Sequence, residues 1–322
     1  MRARLRGCLI MISPILLAIT IQPLHGQRPL MREARESLVR IYFQNQDELN
    51  RLARQLDVWK VNRKGSFAIA AVDRHGIDQL RAEGVRVEVE PEMQTALSAD
   101  LDLSCYRSVE QIEAELHSLA RAYPDLVQLT DIGDSWQKRQ SGDEAGYDLW
   151  ALKITRNSIP GPKPRFLLLA GTHAREFAPP ELALAFVKRL LAGYDEDPDI
   201  TWILDYQEIH VIPLLNPDGH KYAEQGYYQR KNTNLVGSST CPVPVANRQP
   251  GVDLNRNADW FWGQDGSSDH PCDPIYRGES AASEPETQAI QNYILELFPD
   301  QRGEGETDAA PEDSTGIFIT LH

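Results

Sequence analysis

RFLLLAGTHAREFAPPE, residues 165–181, is the stretch around which the rest of the chain is organised. Its apolar run 166–170 predicts a strand buried on both faces, and Gly171 ends that strand. His173 and Glu176 follow before helical periodicity begins at 181, so both lie on the loop at the strand's carboxyl end. Because open α/β sheets bind ligands outside these strand ends, the stretch predicts a site there.

Imidazole and carboxylate groups are both zinc ligands, and a catalytic zinc commonly takes two His, one Glu and a water. The pair His173 and Glu176 alone is weak evidence, and the alternative is two solvated polar side chains on a loop. His322 ends a further predicted strand, 316–322. If the two strands are neighbours, His173, Glu176 and His322 meet as the ligands of one zinc ion.

Strands and helices alternate through residues 101–322, which predicts a mostly parallel sheet with helices on both faces. NPDG, residues 216–219, predicts a turn, and His210 within the strand before it is interpreted as a packed, structural residue. The other predicted strands are 126–132, 147–154 and 208–215, and the predicted helices include 181–193 and 283–298.

The N-terminal third has a different organisation. Residues 1–26 combine a basic start with an apolar run of 14 residues, which predicts a secretory signal peptide; an uncleaved anchor is the alternative. We therefore expect a secreted protein, extracellular or periplasmic, without a membrane span after cleavage. Residues 38–90 follow the order β-α-β-β-α-β of a small ferredoxin-like α+β unit. Residues 27–100 are interpreted as an inhibitory or folding-assisting pro-segment-like domain, and a role in packing alone is the alternative. Residues 91–104 are predicted to be a linker.

The net charge argues against one class of function, and the cysteines indicate a disulfide. Loss of the three arginines in residues 1–26 would take the net charge from −14 to −17, and so acidic a chain is not expected to bind nucleic acid. An exported protein can form disulfides. We take Cys241 and Cys272, which bracket a loop-rich stretch, as the pair and Cys105 as the odd thiol. Three separate thiols are the alternative.

Two further groups suit a substrate with a carboxylate. Asn255 and Arg256 stand together in GVDLNRN, and guanidinium offers a bidentate fork to a carboxylate. Arg230, in YYQRKN, could stabilise an oxyanion. Each residue alone is more readily explained as part of a surface salt bridge, and it is their combination with a metal that describes a site.

From about residue 106 to the end, the chain resembles the secreted zinc carboxypeptidases of the A/B/T type. The resemblance is carried by GTHARE (171–176), NPDG (216–219), GVDLNRN (251–257), SEPET (283–287) and the final IFITLH. It implies a mixed, mainly parallel sheet between helices and a catalytic domain over 101–322. It also implies a peptide or protein substrate with a free C-terminus.

The resemblance assigns roles to individual residues. One Zn²⁺ would be held by His173, Glu176 and His322. Arg175 and Arg230 would act on the substrate carbonyl, and Asn255 and Arg256 would bind the C-terminal carboxylate. A disulfide between Cys241 and Cys272 and an N-terminal pro-segment also fit the family.

One departure limits this expectation. The family's general-base Glu and mobile Tyr would lie beyond His322, the last residue given, so we expect the 322 residues alone to be inactive as a peptidase. The alternative is a non-catalytic module, derived from such an enzyme, that binds zinc or C-terminal carboxylates. An amidase or deacylase on a related fold is disfavoured by the intact Asn255 and Arg256 pair.

Overall fold

The computed structural model describes residues 37–56, 58–72, 74–89, 103–237, 241, 248–264, 266–303, 305 and 307–322. The expected signal peptide, 1–26, and most of the expected linker, 91–104, lie outside these residues. Among the helices described, none combines the length and the apolar character that a membrane crossing requires.

The N-terminal unit is a four-stranded antiparallel sheet with two helices. Its strands lie in the order β2-β3-β1-β4, and its elements follow one another as β-α-β-β-α-β, as the sequence suggests. Helix α1 is capped by Asn45, whose side chain accepts the backbone N–H of Glu48. The elements are β1 Ser37–Tyr42, α1 Gln46–Gln55, β2 Val58–Asn62, β3 Phe67–Val72, α2 Arg74–Ala82 and β4 Val87–Val89.

The larger unit is built on a five-stranded sheet in the order β5-β6-β8-β7-β9. β6 is antiparallel to both β5 and β8, whereas β7 is parallel to both β8 and β9, so β6 alone opposes the other four strands. This confirms the mixed, mainly parallel class. The strands are β5 Val127–Asp134, β6 Asp148–Ile154, β7 Arg165–Leu169, β8 Glu208–Ile212 and β9 Ile317–Thr320.

Helices cover both faces of this sheet. Leu168 of β7 packs in one core cluster with Leu116 and Leu184, whereas Leu167 packs in another with Ile290. β7 is therefore buried on both faces, which explains its unbroken apolar run. The helices are α3 Val109–Ala122, α4 Trp136–Ser141, α5 Ala178–Gly193, α6 Pro198–Tyr206, α7 Pro217–Glu224 and α8 Pro285–Leu297.

The structure differs from the sequence prediction at two helices. NPDG begins α7 rather than forming an isolated turn, because the Asn216 side chain accepts the N–H of Gly219 and Pro217 suits the first helical position. Helix α6 was not expected. It is only nine residues long, and its apolar pattern is disguised by the exposed rings of Trp202 and Tyr206.

Gly171 turns the chain toward the candidate site. Its φ is +66°, a conformation that residues with a Cβ rarely adopt. A Cβ there would also lie 2.9 Å from the Leu214 Cα and 2.6 Å from its Cδ1. Glycine is therefore required at the point where β7 ends and the loop with His173 begins.

Candidate metal centre

The three expected zinc ligands meet at one edge of the sheet. β7 and β9 are parallel neighbours, with Leu169 opposite Thr320, so their carboxyl ends lie side by side. Ligand atoms of His173, Glu176 and His322 all lie within 4.8 Å of one another. The condition set by the sequence, that the two strands pair, is met.

His173 is at the centre of this group and is only 3 % exposed. Its Nδ1 lies 2.9 Å from Oε1 of Glu176 and 3.1 Å from Nδ1 of His322. The same His322 nitrogen is 3.6 Å from the other carboxylate oxygen of Glu176. Two imidazole nitrogens and a carboxylate therefore converge on one small volume.

Asp253 fixes the orientation of His173. Its Oδ1 lies 3.2 Å from Nε2 of His173, and Asp253 is fully buried. Burial opposes ionisation of Asp253, but the charges of Arg230 and His173 outweigh it and hold its pKa well below the usual value. An ionised carboxylate only accepts, so Nε2 of His173 carries a proton toward Asp253, and Nδ1 is the nitrogen that would face a metal ion between Glu176 and His322.

This donor set fits zinc. Nε2 of His322 lies 3.2 Å from the Thr320 hydroxyl, and the other ring nitrogen, Nδ1, faces His173. Two nitrogens at tetrahedral zinc, with bonds of about 2.0–2.1 Å, would be roughly 3.3 Å apart, close to the 3.1 Å observed. Lone pairs facing one another at this distance repel unless a cation or proton lies between them. A carboxylate behind a metal-binding imidazole is also typical of zinc sites.

Glu176 is suited to bind as a carboxylate. Burial alone would favour its neutral form, but hydrogen bonds with His173 and His322 and the charges of His173 and Arg230 outweigh this and lower its pKa to about 2. The group is thus ionised at neutral pH, as a metal ligand must be.

Arg230 lies beside the ligands and is buried. Its Nε and Nη2 donate to Oδ2 of Asp253 at 3.2 and 3.1 Å, and its Nη1 is 3.9 Å from Glu176. Its backbone is also fixed, because the side chain of Gln249 accepts the N–H groups of Arg230 and Lys231. The guanidinium is held close to the expected position of a reacting group.

Lys231 fixes the chain segment that contains Arg230. The side chain is fully buried, and its Nζ donates to the backbone carbonyls of Pro271 and Asp273 at 2.8 Å each. It therefore ties the chain next to Arg230 to the loop that contains Cys272.

The remaining expected substrate residues occupy the flanks. Arg175 is half-buried, with its guanidinium carbon 4.3 Å from the centre of the Tyr228 ring. Asn255 is exposed, and its N–H donates to Asp253. Arg256 donates through Nε to the Gly266 carbonyl and through Nη1 to the Asn255 carbonyl. Its Nη2 makes no hydrogen bond to the residues described.

Two other sequence interpretations are confirmed. Cys241 and Cys272 form a disulfide, and Cys105 stands outside it. His210 is structural: it is buried on β8, with Nδ1 2.6 Å from the Tyr293 hydroxyl and Nε2 2.9 Å from Glu208. Asp253 is the residue that sequence reasoning missed. The available signal was an acid between two apolar residues, Val252 and Leu254, in a segment already assigned to the site.

Comparisons with known proteins agree with this geometry. The sequence model of the family described as Zinc carboxypeptidase matches residues 112–321. Mouse carboxypeptidase A4 is 28% identical over 289 residues, covering 80% of this chain and 64% of the relative. Bovine carboxypeptidase B is 28% identical over 284 residues, with the same two coverages. The chain thus spans just under two thirds of the length of these two relatives.

The fold comparison points the same way. The crystal structure of carboxypeptidase A from Helicoverpa armigera matches with a TM-score of 0.64 at 24% identity, covering 82% of this chain and 67% of that one. The match shows a shared fold, and the family model covers more than half of the present sequence. This chain belongs to the zinc carboxypeptidase family.

Proposed function

We propose that this protein is an exported zinc carboxypeptidase that removes C-terminal residues from peptides or proteins. The observation that carries the proposal is the convergence of His173, Glu176 and His322 within 4.8 Å, next to the buried guanidinium of Arg230. A bound zinc ion would polarise the scissile carbonyl. It would also lower the pKa of a water molecule, so that the water could attack this carbonyl at neutral pH.

The chain's own residues would orient the substrate. Nη2 of Arg256 is available to the terminal carboxylate while its Nε and Nη1 are held by backbone carbonyls, and the exposed Asn255 amide lies beside it. A carboxylate held there selects the last residue of a peptide, because an internal peptide bond offers no such group. Arg230 and Arg175 would donate to the oxygen of the scissile carbonyl as charge develops on it.

The general base of the reaction is the role for which these residues provide the weakest candidates. Glu176 is one of the proposed metal ligands. Glu181 accepts from both the backbone and the guanidinium of Arg107, and Glu208 pairs with Arg165, Lys153 and His210. We therefore propose that residues 1–322 alone turn over peptides slowly, since a positioned base contributes roughly 10²–10⁴ in rate. This same feature favours the second candidate, a module that binds zinc or C-terminal carboxylates without catalysis.

The N-terminal third fits the roles of a signal peptide and a pro-segment. We propose cleavage close to Gln27 and a pro-segment over 27–100. A contact supports the second assignment: Tyr228, whose ring lies under Arg175, packs against the cluster of Leu38, Ile69 and Ala71 in the N-terminal unit. That unit therefore touches the flank of the candidate site.

Metal analysis tests the site. His173→Ala and Glu176→Ala should each strongly reduce the zinc bound by purified protein, because each removes a ligand from a set of three. The matched control is His75→Ala, an exposed imidazole on α2. Unchanged zinc content in both ligand variants would overturn the assignment.

Hydrolysis of a blocked dipeptide with a free C-terminus tests the activity. The 322-residue polypeptide is compared with a version extended to the length of the relatives, each with and without residues 27–100. We expect the extended form to turn over the dipeptide roughly 10²–10⁴ times faster than the 322-residue polypeptide. Near-equal turnover by the two would show that a base lies within the present residues. Zinc binding with no turnover in the extended form would favour the binding module.

A further inference from the structure

A cleft of ≈ 410 Å³ lies against α6 and the turn that precedes it, within residues 195–206. It is remote from the candidate metal centre. α6 leads into the first residue of β8, whereas His173 and His322 follow the carboxyl ends of β7 and β9, which run parallel to β8. The cleft therefore lies toward the opposite edge of the sheet.

One wall of the cleft is an exposed aromatic pair. Trp202 and Tyr206 are 56% and 52% exposed, although both are large rings that usually lose most of their accessible surface. They stand four residues apart on α6 and so share one face of the helix, with ring centroids 5.7 Å apart. Such rings attract cations placed over their faces.

The other wall is acidic. Asp195, Glu196 and Asp205 line the cleft, and none of the three lies within salt-bridge distance of a basic side chain that the structure describes. Asp205 accepts the Tyr194 hydroxyl at 2.8 Å and is attracted by Lys163, so Asp195 and Glu196 are the more available pair. Asp197, one position on, does pair with Arg189. The Asp195 backbone is in the left-handed region, with φ +65°, and its N–H donates to the Thr201 hydroxyl, so its position is fixed by the turn. The cleft thus presents net negative charge beside two aromatic faces.

We propose that this cleft binds an arginine side chain in a basic peptide segment of a partner protein. A guanidinium stacks on aromatic faces and forms paired hydrogen bonds with carboxylates, so one group satisfies both walls. The acidic wall repels anionic lipid surfaces and nucleic acid and attracts a cationic ligand. Since no metal ligand takes part, this inference stands apart from the proposed function.

Calorimetric titration with a short Gly/Ser peptide containing two arginines tests the proposal. The peptide is acetylated and amidated, so it has no terminal carboxylate for Asn255 and Arg256. A citrulline peptide of the same length is the matched ligand, because citrulline keeps the shape and loses the charge. We expect the arginine peptide to bind at 50 mM salt at least tenfold more tightly than the citrulline peptide, and to bind more weakly at 500 mM.

Variants assign the binding to this cleft. Trp202→Ala and Tyr206→Ala should each weaken binding at least threefold, and the pair Asp195→Asn with Glu196→Gln should also flatten the salt dependence. Trp260→Ala, at another exposed tryptophan, should leave the affinity unchanged. Circular dichroism melts establish that each variant is folded, and Trp202→Phe should recover most of the affinity. Equal binding of the two peptides, or full affinity in the folded acidic double variant, would overturn the proposal.

Discussion

Asp253 accepts from His173 with one carboxylate oxygen and from Arg230 with the other, at 3.2 and 3.1–3.2 Å. One fully buried group therefore orients both a candidate metal ligand and a candidate substrate-binding cation. Ionised, it can serve both partners, because a carboxylate has acceptor capacity on each oxygen. Loss of its charge would leave Arg230 as a buried cation with weaker compensation.

Replacing this carboxylate should weaken the metal centre. Asp253→Asn keeps the shape but removes the charge that fixes the His173 tautomer, so we expect zinc affinity to fall about 10–100-fold. Competition titration against a chromophoric chelator measures this. Asp259→Asn, an exposed acid in the same segment, is the control and should match the parent protein. Parent-like affinity in Asp253→Asn would contradict the role given to Asp253.

Zinc should also stabilise the fold. A ligand that binds only the folded state raises the unfolding free energy by an amount set by its concentration relative to Kd, about 2.7 kcal/mol at a hundredfold excess over Kd. We expect the melting temperature to rise with zinc and to return with a chelator. His173→Ala should show neither change. An equal rise in that variant would place the stabilising zinc elsewhere.

Glu286 should make stability depend on pH. Burial, reinforced by the charges of Glu284 and Asp218, raises its pKa to about 8 despite the hydrogen bond from the Trp136 N–H. In the unfolded chain the same carboxyl ionises near its ordinary pKa of 4.5. The contribution of Glu286 to the free energy of unfolding is therefore fully present below about pH 4.5. It decreases as the pH rises from 4.5 to 8 and stays constant above that.

Comparison with Glu286→Gln isolates this effect. Glutamine cannot ionise. The free energy of unfolding of the Glu286→Gln variant, relative to that of the parent protein, should therefore increase between pH 5 and 8 by an amount on the order of a few kcal/mol. Urea unfolding at each pH gives the difference. Glu312→Gln, at an exposed position, should show a constant difference. A flat difference for Glu286→Gln would mean that this carboxyl titrates normally.

The disulfide should contribute stability through the unfolded state. Cys241 and Cys272 are 31 residues apart, and closing a loop of that size removes about 3–4 kcal/mol of chain entropy in the simple loop model. The double variant Cys241→Ala with Cys272→Ala should therefore unfold at lower denaturant concentration. Cys105→Ala, outside the bond, serves as the control. Equal midpoints for the parent and the double variant would contradict this expectation.

The sequence predicted those features whose cause is local. His173 and Glu176 could be found because Gly171 ends an apolar strand and no helix has begun, and the long apolar strands could be found by their composition. Asp253 could not, since nothing in neighbouring residues says that two distant side chains donate to it. Helix α6 was missed because its start depends on Asp197, which caps two backbone N–H groups, while its two exposed aromatics hide the helical period.

The pairing of β7 with β9 has a consequence for the order of folding. His173 and His322 are 149 residues apart, so the loop that joins them must close before a complete ligand set exists. Contacts of such large sequence separation form late and slowly. The metal centre is therefore expected to be a product of folding rather than its nucleus. During synthesis it can assemble only after Ile317–Thr320 has emerged from the ribosome and paired with β7.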